Sequence, residues 1–166
     1  MLIDQLTKLV PPPPHPLERG QPATWDDVEA RLGTPLPDDY KALINTYGTG
    51  SFNDFLYVFN PFASNRYRNL FALKDDILSA YAVSQHNFPD DFLDPEFPAA
   101  GGLLPWARTD NGDEFYWKTE GSPDTWSIVV IESRNAAQYR YHLTTTDFLV
   151  RLLSGTLEPK VFEDVF

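Results

Sequence analysis

Apolar positions recur at helical spacing in two early segments of the chain. Trp25, Val28 and Leu32 share one helical face, with Thr24 read as N-cap, Asp27 completing a capping-box-like pattern and Gly33 as the stop. "TPLP" then turns the chain. Asp38 is read as the cap of a second helix, whose buried face is Tyr40, Leu43, Ile44 and Tyr47 and whose end is Gly48. The aromatic run "FNDFLYVF", Phe52 to Phe59, predicts a strand bounded by Asn60-Pro61. A third helix is expected around Tyr67, Leu70, Phe71, Ile77, Leu78 and Tyr81, followed by a long proline-broken loop, "HNFPDDFLDPEFPAAGG". Loops of that length without regular structure are usually functional or mobile.

The second half changes period. "LLPWA", "EFYWK", "WSIVVIES" and "QYRYHL" read as strands, and Thr144 to Asp147 opens a closing helix with Phe148, Leu149, Leu152 and Leu153 inside and Gly155 at its end. Strands in succession with helices grouped before and after predict an α+β fold: a largely antiparallel central sheet with N-terminal, middle and C-terminal helices packed on it. Residues 1–23 are expected to form an N-terminal amphipathic piece and a Pro-rich linker, carrying Pro11 to Pro14 and Pro16 in polyproline II form. Residues 24–166 are expected to form a single domain. A chain of 166 residues, with 42% hydrophobic and 22% charged residues, fits that folded class.

No apolar run reaches the roughly 18 residues of a membrane span. "MLIDQLTKLV" lacks the basic and extended apolar regions of a secretory signal. The absence of cysteine excludes disulfides and thiolate metal sites and suits a cytoplasmic location. Thirteen Lys and Arg against 24 Asp and Glu give a net charge of −11. Such a surface repels phosphate backbones and anionic lipids and favours basic partners. Nucleic acid and membrane are therefore not the expected partners.

Candidate chemistry is sparse. Nucleophilic catalysis needs a nucleophile, a base and an orienting group. Here there is no cysteine, no GxSxG elbow and only His15, His86 and His142, none spaced as a metal pair. The stretch "TDNGDEFYW", Thr109 to Trp117, is the best acidic candidate. Its carboxylates Asp110, Asp113 and Glu114 include an adjacent pair, and adjacent side chains of an extended segment point to opposite faces rather than to one ion. Asn111-Gly112 instead signals a hairpin turn, expected as type I′.

The residues of "TWDDVEARLGTPLPDDYKALINTYGTGSF" are similar to the N-terminal signature of the SUKH superfamily, the Smi/Knr-type domains. Leu36, Pro37, Asp38, Tyr40, Lys41 and Gly48 stand where that pattern puts them. Gly112 and Asp113 resemble the family's glycine-aspartate before a strand, and "TTTDFLVRLLSG" resembles its terminal helix. The resemblance covers Thr24 to Gly155. The tryptophan-rich "FYWKTEGSPDTWSIVVI" and the proline-rich N-terminus depart from it. The resemblance implies an α+β domain without catalytic residues, in bacteria commonly an immunity protein that binds and neutralises a cognate toxin of a polymorphic toxin system; no cofactor is expected.

The expected function is accordingly a cytoplasmic protein-binding module of immunity type, with a basic toxin domain as partner. Two alternatives stand beside it: a regulatory or scaffold domain related to cell-wall-assembly regulators, and an acidic-site metal-dependent hydrolase. The expected contact residues are Asp90, Asp91, Asp94 and Glu96, then Asp110, Asp113, Glu114, Glu120 and Asp124, with Trp117 and Trp126 as exposed aromatic anchors.

Overall fold

The computed structural model describes residues 2–162, so positions 163–166 of the expected domain lie outside the described residues. Five α-helices, α1 (Leu2–Leu9), α2 (Pro22–Leu32), α3 (Asp38–Tyr47), α4 (Leu70–Asn87) and α5 (Thr145–Leu153), surround one sheet. Its strands are β1 (Ser51–Phe52), β2 (Leu56–Val58), β3 (Leu103–Thr109), β4 (Glu114–Lys118), β5 (Ser127–Ile131) and β6 (Gln138–Tyr141). Each strand pairs antiparallel with the next, giving the spatial order β1-β2-β3-β4-β5-β6. The expected α+β architecture is the observed one.

Both faces of the sheet are covered. Alternate residues of a strand point to opposite faces. Phe115, Trp117, Ile128 and Val130 therefore join the main core, together with apolar residues of α1, α2, α3 and α5. Tyr116, Val129 and Ile131 point the other way, into a smaller cluster with Leu73, Ile77 and Tyr81 of α4. Two covered faces account for the nearly continuous apolar run of β5.

Several local expectations shift by physical causes. Pro22, suited to the first helical turn, starts α2 ahead of Thr24, which becomes the third helical residue. Gln21 is the N-cap, and its N–H donates to Thr24 Oγ1 at 2.8 Å. Asp38 is the first residue of α3 rather than its cap, because Pro37 holds the cap position. The missing acceptor comes from Asp124, whose Oδ1 accepts the Asp38 N–H at 2.7 Å across 86 residues of sequence. Lys41 lies 2.9 Å from Glu29 and so ties α3 to α2.

The strand expected over Phe52 to Phe59 is broken into β1 and β2. Asn53 and Asp54 both take left-handed backbone angles, φ 54° and 49°, and reverse the chain. Tyr67 lies outside α4 and is exposed, since Asn69 caps that helix and its side chain accepts from the Phe71 and Ala72 N–H groups. At the β3–β4 hairpin the Gly112 N–H donates to the Thr109 carbonyl at 3.0 Å. Gly112 has φ 86° while Asn111 has no positive φ. The expected type I′ turn is thus replaced by a turn that ends on a left-handed glycine, the three-residue hairpin solution. The Thr144 cap holds as expected, accepting from the Asp147 N–H at 3.3 Å.

The N-terminal segment lies against the domain rather than apart from it. Leu6 is fully buried in the main core. Tyr47 donates its hydroxyl to the Val10 carbonyl at 2.6 Å, and the Leu17 carbonyl accepts the Thr49 N–H at 2.9 Å. This close approach requires Gly48: a Cβ there would stand 2.1 Å from the Leu17 oxygen, and its φ of 67° is left-handed. The proline-rich stretch is therefore a strap across α3 and β1.

Candidate partner-binding site

The acidic loop after α4 is held down at several points. The Tyr81 hydroxyl donates to the Asp94 carbonyl at 2.7 Å, and Gln85 Nε2 donates to the Phe92 and Asp94 carbonyls at 3.0 and 2.9 Å. Gln138 of β6 donates to the Asp91 carbonyl at 2.9 Å. The Asp94 carboxylate closes the attachment by meeting Lys118 Nζ at 3.0 Å and the Arg140 guanidinium. Burial pushes the Asp94 carboxyl up, but its hydrogen bonds and charges with Arg140 and Lys118 outweigh this and hold it below the ordinary carboxylate range.

This placement corrects the expectation for four of the eleven candidate residues. Asp94 is 7% exposed and its charge is spent inside the protein. Asp113, 5% exposed, accepts from Thr109 Oγ1 at 2.6 Å and from the Ser133 N–H at 2.9 Å, joining the β3–β4 turn to the end of β5. Trp117 is not an exposed anchor: it stacks on Trp106 at 5.6 Å in the core, and its Nε1 donates to Thr145 Oγ1 at 3.0 Å. Trp126 is buried as well, donating from Nε1 to the Gly121 carbonyl at 3.1 Å. Strand alternation turns Trp117 inward, a turn's need for an acceptor holds Asp113, the two cations draw in Asp94, and the Gly121 carbonyl holds the Trp126 indole.

Asp90, Asp91, Asp110, Glu120 and Asp124 are exposed, while Glu96 and Glu114 are half-buried. Asp124 also caps α3, beside a recess of about 420 Å³ that includes Asp38 and Asp39. Asp91 and Glu114, far apart in sequence, come together around a groove of about 430 Å³. Its floor is the α4 side of β4 and β5, and one wall is the C-terminal half of α4 with the loop that follows. The turn after β5 supplies Glu132 and Ser133 at the rim.

Sequence reasoning missed Glu132 and Phe88. The usable signal for Glu132 was its place at the end of the apolar run "WSIVVIES", which only the β4–β5 pairing brings beside Glu114. The groove is walled by aromatic rings. Phe92 packs edge-on to Tyr81 at 5.6 Å, Tyr81 lies 6.1 Å from Tyr116, and Phe88 is 58% exposed.

Burial raises the Glu114 carboxyl above its ordinary range, with the Tyr116 hydrogen bond and the Arg108 charge acting against it. Tyr116 itself is pushed well above the ordinary phenol range by burial and by Glu114. The hydroxyl thus stays protonated and donates to Glu114. Among the described residues no group of three or more His, Cys, Asp or Glu side chains is placed to hold a metal ion. His15, His86 and His142 are all exposed.

The architecture defines an α+β domain in which an antiparallel meander is clasped between helices on both faces. Residues 22–149 match the family model SUKH_6, described as SMI1-KNR4 cell-wall, and the chain belongs to that family. The match opens at α2 and ends inside α5, so α1 and the proline strap precede it. No curated protein matches the chain. No helix among the described residues is long and apolar enough to cross a membrane.

Proposed function

We propose that this chain is a non-catalytic protein-binding module of immunity type, which neutralises a cognate toxin by covering a basic surface on it. The observation that carries the reading is the groove beside α4, where Asp91, Glu114 and Glu132 stand among aromatic walls on a chain of net charge −11. A concave, mostly apolar site with a few convergent polar groups is the usual form of a recognition pocket. Excess negative charge speeds association with a basic partner and suppresses wrong ones. Membership in the SMI1-KNR4 family supports a protein-binding role. The partner surface extends from the groove to the exposed acids Asp90, Asp110, Glu120 and Asp124 and to the half-buried Glu96. The module needs no cofactor and works in the cytoplasm.

The test is co-expression with candidate basic toxin domains drawn from the genes that flank its own. Cell survival is expected, together with a complex whose affinity falls steeply with salt and after reversal of Asp90 and Asp91 to lysine. Binding indifferent to salt and to both reversals would overturn the electrostatic mechanism. A stable complex without rescue of growth would favour a scaffold role. A rise in melting temperature with calcium, magnesium, manganese or zinc would favour the metal-hydrolase alternative.

A further inference from the structure

We propose that the groove beside α4 is the seat for one arginine side chain of a protein partner. The inference rests on the binding-module reading and names the chemistry recognised at that site.

Three features select a guanidinium. Asp91 lines the groove from the loop after α4, Glu114 and Glu132 line it from the adjoining ends of β4 and β5, and no lysine or arginine lines it. Arg108 pairs with Glu114 across β3 and β4 and acts on its carboxylate, yet it stands outside the lining. Tyr81, Phe92 and Tyr116 are buried and back the groove with apolar ring surface, while the exposed ring of Phe88 is the one on which a flat delocalised cation stacks with little desolvation cost. Phe88, at the mouth, is a large apolar side chain left 58% exposed. An arginine side chain would cover it while the fork reached the carboxylates beyond.

The energetics point the same way. Glu114 is held in a site that disfavours its charge, and its one strong donor is the Tyr116 hydroxyl. A guanidinium entering the groove would compensate that charge where water access is limited, so its effect there exceeds that of the same pair on open surface. The loop wall is fixed by Tyr81, Gln85 and the Asp94 ion pairs, so little ordering remains to oppose binding. A lysine fits less well: its ammonium is a strongly hydrated point charge that can neither stack nor bind a carboxylate through two parallel bonds.

The test uses the full chain and blocked single residues as probes: acetyl-arginine methylamide, its lysine counterpart and its citrulline counterpart, followed by amide NMR. Citrulline keeps the shape of arginine and removes the charge. The expected result is arginine-induced shifts confined to amides around Tyr81, Phe92, Glu114 and Ser133, smaller ones with lysine and none with citrulline. Glu132→Gln, which changes a rim residue and should leave the spectrum otherwise intact, is expected to weaken arginine binding about tenfold, the loss of one charge-assisted hydrogen bond. Phe88→Ala should weaken it as well.

Equal shifts with arginine and citrulline would overturn the proposal. So would arginine shifts scattered over the acidic surface and unchanged in Glu132→Gln. The two readings fail separately. A toxin bound equally by wild type, Glu132→Gln and Phe88→Ala removes the arginine seat and leaves the module. A toxin candidate that is not bound, with arginine still seated in the groove, removes the immunity reading alone.

Discussion

Replacing Asp94 by asparagine tests how the groove's loop is held. Asp94 is 7% exposed and faces two cations, Lys118 at 3.0 Å and the Arg140 guanidinium. Removing one partner of a fully buried ion pair costs about 3–5 kcal/mol, chiefly because a buried charge is left uncompensated. Here the side chains left behind are 23% exposed for Lys118 and 44% for Arg140. Lys118 also keeps a bond to the Gly101 carbonyl at 3.3 Å. Both cations therefore reach water, and the expected cost falls to about 2 kcal/mol. In a domain of this size that lowers Tm by about 4–8 °C.

The pH dependence has a definite sign. The folded-state pKa of Asp94 is depressed, so its contribution is fully present above the ordinary carboxylate range and is lost as pH falls through the lowered value. The gap between wild type and Asp94→Asn, measured by urea unfolding, should be largest near neutrality and should close in acid. Hydrogen exchange at the amides of residues 90–94 should quicken in the variant, because Asp94 anchors the loop to β4 and β6. A gap below about 0.5 kcal/mol, the range of an ordinary surface change, or one that widens in acid, would refute the account.

Leu6→Ala should destabilise the protein by about 2–5 kcal/mol, as for other buried leucines, while the exposed Leu17→Ala should change little; equal effects in urea melts would show that α1 is not part of the core. Glu114→Gln should show the opposite pH behaviour to Asp94→Asn. Its folded pKa is raised, so wild-type stability declines as pH climbs from the ordinary carboxylate range through the raised value. The glutamine variant should therefore be at least as stable as wild type at neutral pH, lose that advantage in acid, and bind the arginine probe more weakly. Asp113→Ala should cost about 2–3 kcal/mol by leaving the Ser133 N–H and Thr109 hydroxyl without their acceptor, seen as a lower urea midpoint with unchanged m-value.

Much of the fold was legible in the residues. The helical faces of α2, α3 and α5 and the strands β3 to β6 follow from apolar period and from stops such as Gly33 and Gly48, because these are local preferences. The acidic loop and the Asn111-Gly112 reversal were legible for the same reason. The candidate site was only half visible: acidic residues can be counted along a chain, but their direction cannot. Asp94 and Asp113 look like Asp90 and Asp110 in sequence, yet one pair neutralises cations and caps turns inside the fold and the other faces solvent.

The sequence by itself determined the element types, the antiparallel α+β class and the surplus of negative charge, all of which are set by neighbours along the chain or by simple counting. Only the tertiary structure decided which acids share a groove, that Trp117 and Trp126 belong to the core, and that α1 with its proline strap seals the domain. Those outcomes depend on strand register and on which helix covers each face of the sheet. The decisive pairings, such as Asp124 to Asp38 and Asp39 to Thr146, join residues 86 and 107 positions apart.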